Sequence, residues 1–337
     1  MKKLLALCIV VVLAGCSTSG RDAILSSEEK HTLEDYGVLD YVKNDCKNIR
    51  TVQKMLHEDF KKEHVKAYCG LNVSKTEFIN PLLDLGFSTK QVKALVALDY
   101  LDAKRLERYD AYAQKNPEVS MEDVVLAVNL DQDETAYENI TLVEDESLDV
   151  LINKHYGLPE GYVPSDLVEI QSVCLQGSDY SCSTMDKQQL RKAAVADYEA
   201  FVAYVKEKKN YDIVSIASYR SYDYQKNLYA YWKGENGEAY ADTYYARPGH
   251  SEHNGGLAID ISVRGFPFNE LDTFEDYEYL VETFKDYGFV LRYPEDKVDV
   301  TGYGAEAWHF RYVGKELAQK LYTSGMTLDE YHALEAR

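Results

Sequence analysis

"HSEHNGGLAIDIS", His250–Ser262, decides how this chain folds. Its second half alternates: Leu257, Ile259 and Ile261 fall on one side of a strand, and Ala258, Asp260 and Ser262 on the other. Asp260 therefore points away from the apolar face, beside a small Ala258 that leaves room. His253 sits in the loop before the strand, and Gly255-Gly256 lets the backbone turn tightly enough to bring imidazole and carboxylate together. Taken singly, Asp260 reads as a turn cap and His253 as an ordinary loop histidine; together they are two plausible metal ligands.

Around this stretch the pattern is mixed. "KQQLRKAAVADYEAFVAYVKEKK" reads as a long amphipathic helix and "DIVSIASYR" as a strand, with Val214, Ile216, Ser218 and Arg220 on one side. "TFEDYEYLVETFKDYG" reads as a helix closed by Gly288, "FVLRY" and "AWHFRYV" as strands, and "GKELAQKLYTSG" as a closing helix. Strands and helices follow one another without regular βαβ alternation, which predicts an α+β fold with a small antiparallel sheet flanked by helices.

The second informative stretch is "GAEAWHFRYVG", Gly304–Gly314, which adds His309 and Glu306. A hydrolytic zinc site needs three protein ligands, an open fourth position for water and a nearby base, and His253, Asp260, His309 and Glu306 supply that inventory. In an uninterrupted strand Glu306 and His309 would face opposite sides, so Glu306 is expected in a loop or bulge before the strand proper. Trp308 reads as packing beneath the site.

These motifs resemble the zinc carboxypeptidases of bacterial cell-wall metabolism, the D-alanyl-D-alanine carboxypeptidase family with its VanY-type and LD-carboxypeptidase members. The family's Ser-x-His-x-x-Gly-x-Ala-x-Asp is met by Ser251, His253, Gly256, Ala258 and Asp260, and its Glu-x-Trp-His by Glu306, Trp308 and His309. Its Arg-Ser-x-x-x-Gln element corresponds to Arg220, Ser221 and Gln225. The resemblance covers about Asp186 to Gly325 and implies a Hedgehog/DD-peptidase-like fold. It implies one Zn2+ per chain on His253, Asp260 and His309, with Glu306 as catalytic base. It also implies that Arg220 meets a substrate carboxylate or the developing oxyanion, and that Gln225 and Ser251 bind substrate. His250 is open as a neighbour of the ligands, a substrate contact or neither; Tyr219, Tyr222 and Tyr224 are candidates for a cleft wall. The implied reaction is removal of C-terminal D-alanine from peptidoglycan stem peptides. LD-carboxypeptidase or endopeptidase specificity, and a non-catalytic peptidoglycan-binding lipoprotein, are the alternatives.

The chain starts "MKKLLALCIVVVLAGCSTSG", with two lysines, a short apolar run and small residues, which reads as a signal peptide over residues 1–15. Leu13-Ala14-Gly15-Cys16 resembles the bacterial lipobox, so Cys16 is expected to carry lipid, with residues 16–30 as a tether and the protein held to the membrane, outside the cytoplasm, through that anchor alone. Residues 31–130 read as a helical domain of unknown role, 131–185 as a connector wrapping onto the next domain, with "VPSDLVEI" as an edge strand, and 186–337 as the peptidase domain. Ser88 with Gln91 and Ser120 with Asp123 mark helix starts, and His31, His57 and His64 read as solvated. Cys46, Cys69, Cys174 and Cys182 remain as disulfide candidates; proximity favours Cys46–Cys69 and Cys174–Cys182 among three connectivities. A four-cysteine zinc site lacks any CxxC pair. Hydrophobic content of 45% supports packed cores, while a net charge of −20 disfavours nucleic acid and anionic lipid. Protein partners are not indicated.

Overall fold

The computed structural model describes residues 24–173 and 187–335. Cys16, Cys174 and Cys182 lie outside them. The chain divides into two compact units, one ending at Val125 and the other starting at Leu126.

The first unit is built of short helices: α1 (Ser27–Asp35), α2 (Leu39–Asp45), α3 (Ile49–His57), α4 (Val65–Gly70), α5 (Ile79–Asp84), α6 (Thr89–Leu95) and α7 (Leu106–Lys115). The predicted capping box is present at α6, where Ser88 and Gln91 satisfy each other's backbone amides, and Val92, Leu95 and Val96 are buried on one face. Ser120 likewise accepts from the Asp123 amide, 3.1 Å, at the start of α8 (Met121–Asn129). Cys46 and Cys69 form the predicted disulfide and join the end of α2 to α4. His57 and His64, expected to be merely solvated, are paired with Glu29 at 3.2 Å and Asp84 at 2.8 Å.

The second unit is α+β, as the sequence indicated. Two minor sheets come first, β1 (Thr141–Leu142) parallel to β2 (Tyr156–Gly157) and β3 (Leu167–Glu169) antiparallel to β4 (Gln189–Arg191). The main sheet is antiparallel throughout: β5 (Ile213–Ala217), β6 (Ala258–Val263), β7 (Phe289–Tyr293) and β8 (Glu306–Tyr312), in the order β5-β6-β8-β7. Around it lie α9 (Lys192–Lys209), α10 (Tyr222–Asn236), α11 (Glu238–Tyr244), α12 (Tyr277–Lys285), α13 (Val298–Thr301), α14 (Lys315–Ser324) and α15 (Leu328–Leu334). No helix among the described residues is long and apolar enough to cross a membrane.

Boundaries shift where tertiary pairing competes with helix propensity. α9 starts at Lys192 because Gln189–Arg191 pairs with β3 instead, and α12 starts at Tyr277 because Phe268–Thr273 forms a separate 3-10 turn. The strand expected in "VPSDLVEI" therefore belongs to a minor sheet. The outer edge of β5 is met by Val173, which bridges Ser215 in parallel.

One core fixes the sheet. Phe284 of α12 lies between Phe201 and Phe289, with centroids 4.0 and 4.2 Å away and rings nearly parallel. The predicted apolar face of β6 (Leu257, Ile259, Ile261) packs into this cluster with Tyr198 and Phe310. Each fully buried Phe or Ile side chain contributes about 1.5–3 kcal/mol. The stretch after Asp131 wraps onto this core, inserting Val150, Ile152, Leu158 and Ile170.

Candidate metal centre

Pairing within the sheet assembles the site. Asp260 of β6 and His309 of β8 are direct cross-strand partners, so their side chains project from one face as neighbours. His253 reaches the same point from a 3-10 turn, Glu252–Gly255, which Gly256 ends at φ +66°. That left-handed conformation favours glycine, and it turns the chain into β6.

Neighbouring hydrogen bonds hold the loop. His253 shares Nδ1 with the Ser218 carbonyl at 2.8 Å, and the Arg220 amide donates to the His253 carbonyl at 3.1 Å. Asn254 donates from Nδ2 to the Arg220 carbonyl, 2.7 Å, and accepts at Oδ1 from the Gly249 amide, 3.0 Å. Donation by His253 Nδ1–H leaves its Nε2 lone pair free for a ligand.

The donor atoms converge. Asp260 Oδ1 lies 3.4 Å from His253 Nε2 and 3.2 Å from His309 Nδ1, and all three residues are buried. The edge of a tetrahedron with zinc–ligand distances of about 2.05 Å is about 3.3 Å. Asp260 Oδ1 is also a buried acceptor without a hydrogen-bond partner among the described residues, a costly state unless a cation occupies its lone pairs. Two imidazoles and one carboxylate in this spacing fit a zinc ion.

Glu306 is adjacent, its Oε2 3.2 Å from His309 Nδ1. Between β7 and β8 the register passes from Leu291↔Phe310 to Tyr293↔Glu306, so four residue steps on β8 oppose two on β7. This irregularity is the expected bulge. Glu306 meets His309 across it, at 3.2 Å, although the residue opens the strand rather than preceding it.

The electrostatics follow from burial and neighbours. Burial pushes the His253 pKa down to about 4, aided by the Arg220 charge, so the ring is neutral. Burial raises that of Glu306. Burial opposes ionisation of Asp260, but His253, His309 and Arg220 outweigh it and hold the carboxyl well below its usual range. For His309, burial favours the neutral ring, yet Asp260, Glu252 and Glu306 together raise its pKa.

The centre opens into a cleft of about 530 Å³. Arg220 donates from Nη2 to Asp260 Oδ2, 2.9 Å, and so orients a ligand while its side chain remains 17% exposed. Ser221 caps α10 by accepting from the Tyr224 amide, which places Gln225 one turn into the helix. Gln225 donates to the Ala246 carbonyl at 2.7 Å, and its Oε1 is a second buried acceptor without a partner among the described residues. Ser251 and Tyr224 line the cleft, as does Trp308, which packs edge-on against Phe268. Tyr219 and Tyr222 do not line it, whereas Tyr240, Tyr244 and Tyr245 do. His250 is neither ligand nor cleft residue: buried, it shares Nδ1 with the Asn153 carbonyl at 2.7 Å and meets the Tyr137 ring edge-on.

Sequence reasoning missed a buried ionic cluster behind the site. Glu252 Oε1 accepts from Arg292 Nε at 2.7 Å and Arg311 Nη1 at 2.8 Å, and Arg292 also pairs with Asp329 of α15 at 2.6 Å. The signal was available, because arginines inside "FVLRY" and "HFRYV" are charges within apolar strands and require buried partners.

An antiparallel sheet that presents a His/Asp/His donor set beside a carboxylate base, at the floor of an open cleft, defines a metal-dependent hydrolase. The profile of the VanY family, described as D-alanyl-D-alanine carboxypeptidase, matches residues 187–315. The Bacillus subtilis (strain 168) protein YodJ, named as a carboxypeptidase, is 38% identical over 195 residues, spanning 57% of this chain and 69% of that protein. The bifunctional D-Ala-D-Ala dipeptidase and carboxypeptidase VanXYC of Enterococcus gallinarum is 41% identical over 126 residues, 36% of this chain and 66% of that one. Among solved structures, the LdcB LD-carboxypeptidase superposes with a TM-score of 0.53 at 33% identity, covering 59% of this chain and 92% of that one. A VanY D,D-pentapeptidase solved with Zn(II) gives 0.45 at 28% identity, covering 56% and 99%. The chain belongs to the VanY D-alanyl-D-alanine carboxypeptidase family.

Proposed function

We propose that this protein is a zinc carboxypeptidase that removes the C-terminal D-alanine from peptidoglycan stem peptides, held outside the cytoplasm by lipid on Cys16. The observation that carries the catalytic reading is the convergence of His253 Nε2 and His309 Nδ1 on Asp260 Oδ1, at 3.4 and 3.2 Å, with Glu306 Oε2 3.2 Å from His309 Nδ1. The names of the relatives support the substrate class. The sequence of residues 1–30 alone supports the anchor.

Bound zinc supplies an activated water and polarises the scissile carbonyl. Glu306 takes one proton from the attacking water as its oxygen bonds to the carbonyl carbon. As the C–N bond breaks, Glu306 returns that proton to the leaving nitrogen, which departs as the amine of free alanine. Arg220 keeps Asp260 oriented through Nη2, and its exposed edge can meet the terminal carboxylate or the developing oxyanion. Gln225 Oε1 offers an acceptor to a substrate N–H, and Ser251 a hydroxyl. The aromatic wall of Tyr240, Tyr244, Tyr245 and Trp308 packs the peptide and limits water.

A second reading, LD-carboxypeptidase action on a tetrapeptide stem, is favoured by the LdcB likeness. Mass spectrometry of defined pentapeptide and tetrapeptide stems, incubated with zinc-loaded protein, separates the two. Loss of one alanine from the pentapeptide supports the first reading, and from the tetrapeptide the second. No mass change with zinc demonstrably bound refutes both.

A further inference from the structure

We propose that Glu252 is a positioning residue of the metal centre: its carboxylate fixes His309 in the tautomer that presents Nδ1 to the metal. The inference rests on the zinc reading above.

His309 directs Nδ1 at Asp260 Oδ1 and Glu306 Oε2, 3.2 Å from each. A neutral imidazole carries its single proton on one nitrogen, so a lone pair at Nδ1 requires the proton on Nε2. The atom facing Nε2 is Glu252 Oε2, at 3.6 Å. Both are buried and neither has a hydrogen-bond partner among the described residues. They stand a small ring rotation away from an Nε2–H···Oε2 bond, the carboxylate–histidine–metal arrangement that sets ligand tautomer and basicity.

The other half of Glu252 explains why its aim is fixed. Two guanidiniums hold Oε1, and each is anchored in turn. Arg292 bonds both oxygens of Asp329, 2.6 and 3.2 Å, and Asn153 donates to Asp329 at 2.9 Å. Arg311 donates from Nη2 to the carbonyls of Leu148 and Val150, 2.9 and 2.7 Å. With Oε1 clamped from two strands, Oε2 is left pointing at the ring. Glu252 has a side chain with 0% exposure, so it acts through His309 and not on substrate. Packing does not account for the cluster, since apolar residues of similar volume commonly serve stability as well as buried ion groups do.

The test compares wild type, Glu252→Gln and Asp329→Asn by zinc affinity, measured on metal-stripped full-length protein against a chromophoric chelator, with thermal unfolding of each. Glu252→Gln cannot hold both guanidiniums with its oxygen and still accept from Nε2, so zinc affinity should fall about 10–100-fold. Asp329→Asn disturbs the same cluster but keeps one side-chain oxygen for Arg292 and does not touch the Arg311 hold on Oε1, so Oε2 stays in place and the variant should lose thermal stability while retaining near-wild-type affinity. Wild-type affinity in Glu252→Gln, or an equal loss in Asp329→Asn, overturns the proposal. Should Glu252→Gln not fold, 15N NMR of histidine-labelled wild type with zinc decides: His309 bound through Nδ1 with a retained Nε2–H supports it, and binding through Nε2 overturns it. A wild type that takes up no zinc would be a different result, removing the metal reading and this inference with it.

Discussion

Glu306→Gln tests the chemistry most directly. The carboxylate is 14% exposed, lies 3.2 Å from His309 Nδ1, and is absent from the donor trio. The substitution therefore removes a proton acceptor without removing a ligand or much volume. General-base catalysis by a positioned side chain is worth about 10²–10⁴ in rate, or about 2.7–5.4 kcal/mol at 1.36 kcal/mol per decade. All of that loss should fall on kcat. Arg220, Gln225 and Ser251 keep their places, so stem-peptide affinity should change little. The assay is steady-state alanine release, with zinc stoichiometry by metal analysis and peptide binding by calorimetry on the same preparations. A variant with kcat within about tenfold of wild type would show that another group takes the proton. One that has lost its zinc would show that Glu306 is a ligand, and either result refutes the assignment.

The remaining predictions concern stability and pH. Replacing both Cys46 and Cys69 by serine opens a loop with a sequence separation of 23, which should destabilise the helical unit by about 3 kcal/mol, read as a lower urea midpoint for that unit; an unchanged midpoint contradicts it. Gly249 has φ +84°, and a Cβ there would lie 2.6 Å from the Leu158 carbonyl oxygen. Gly249→Ala should therefore cost about 1–3 kcal/mol of stability, and an unshifted melting temperature would count against the loop geometry. His332 is held to the Asp149 carbonyl at 2.6 Å, and burial lowers its pKa. Because the folded pKa lies below the unfolded one, near 6.5, its neutral form favours folding above that pH. That contribution is lost as pH falls through about 6.5 towards the folded pKa. His332→Gln should flatten the fall in unfolding free energy between pH 7.5 and 5.5, and an identical slope would refute the linkage.

Much of the second unit was legible because local signals agreed with the final packing. The alternation around Asp260 put the carboxylate on the correct face, and the wrong parity between Glu306 and His309 announced the bulge. α9 was placed too early because nothing in "KQQLR" shows that Gln189–Arg191 has a strand to pair with. In the Glu252 cluster the buried arginines were signalled by their apolar strands, but their partners were not: Arg292, Arg311 and Asp329 come from three separate elements, and only tertiary structure brings them to Glu252 and to one another. Tyr222 and Tyr219 were proposed for the cleft from proximity to Arg220, but Tyr222 at the start of α10 and Tyr219 before it do not line the cleft, whereas Tyr240 and Tyr244 of α11 do.

The bulge opposite Leu291–Tyr293 has an implication for how such proteins diverge. It makes the base separable from the metal donors, since the β6–β8 ladder ends at the Asp260–His309 pair, whereas Glu306 is held by Tyr293 of β7 beyond the irregularity. Re-pairing of residues 306–309 as a regular ladder, with no change of length, would swing the acid to the far face, because Glu306 and His309 are three positions apart, while the donor trio survived. Substitutions that straighten this strand opening would then convert a peptide-cutting ancestor into a metal-bearing receptor that grips the same peptide and leaves it whole. Sequences that retain all three donors but have lost the bulge are where such silent descendants should be sought.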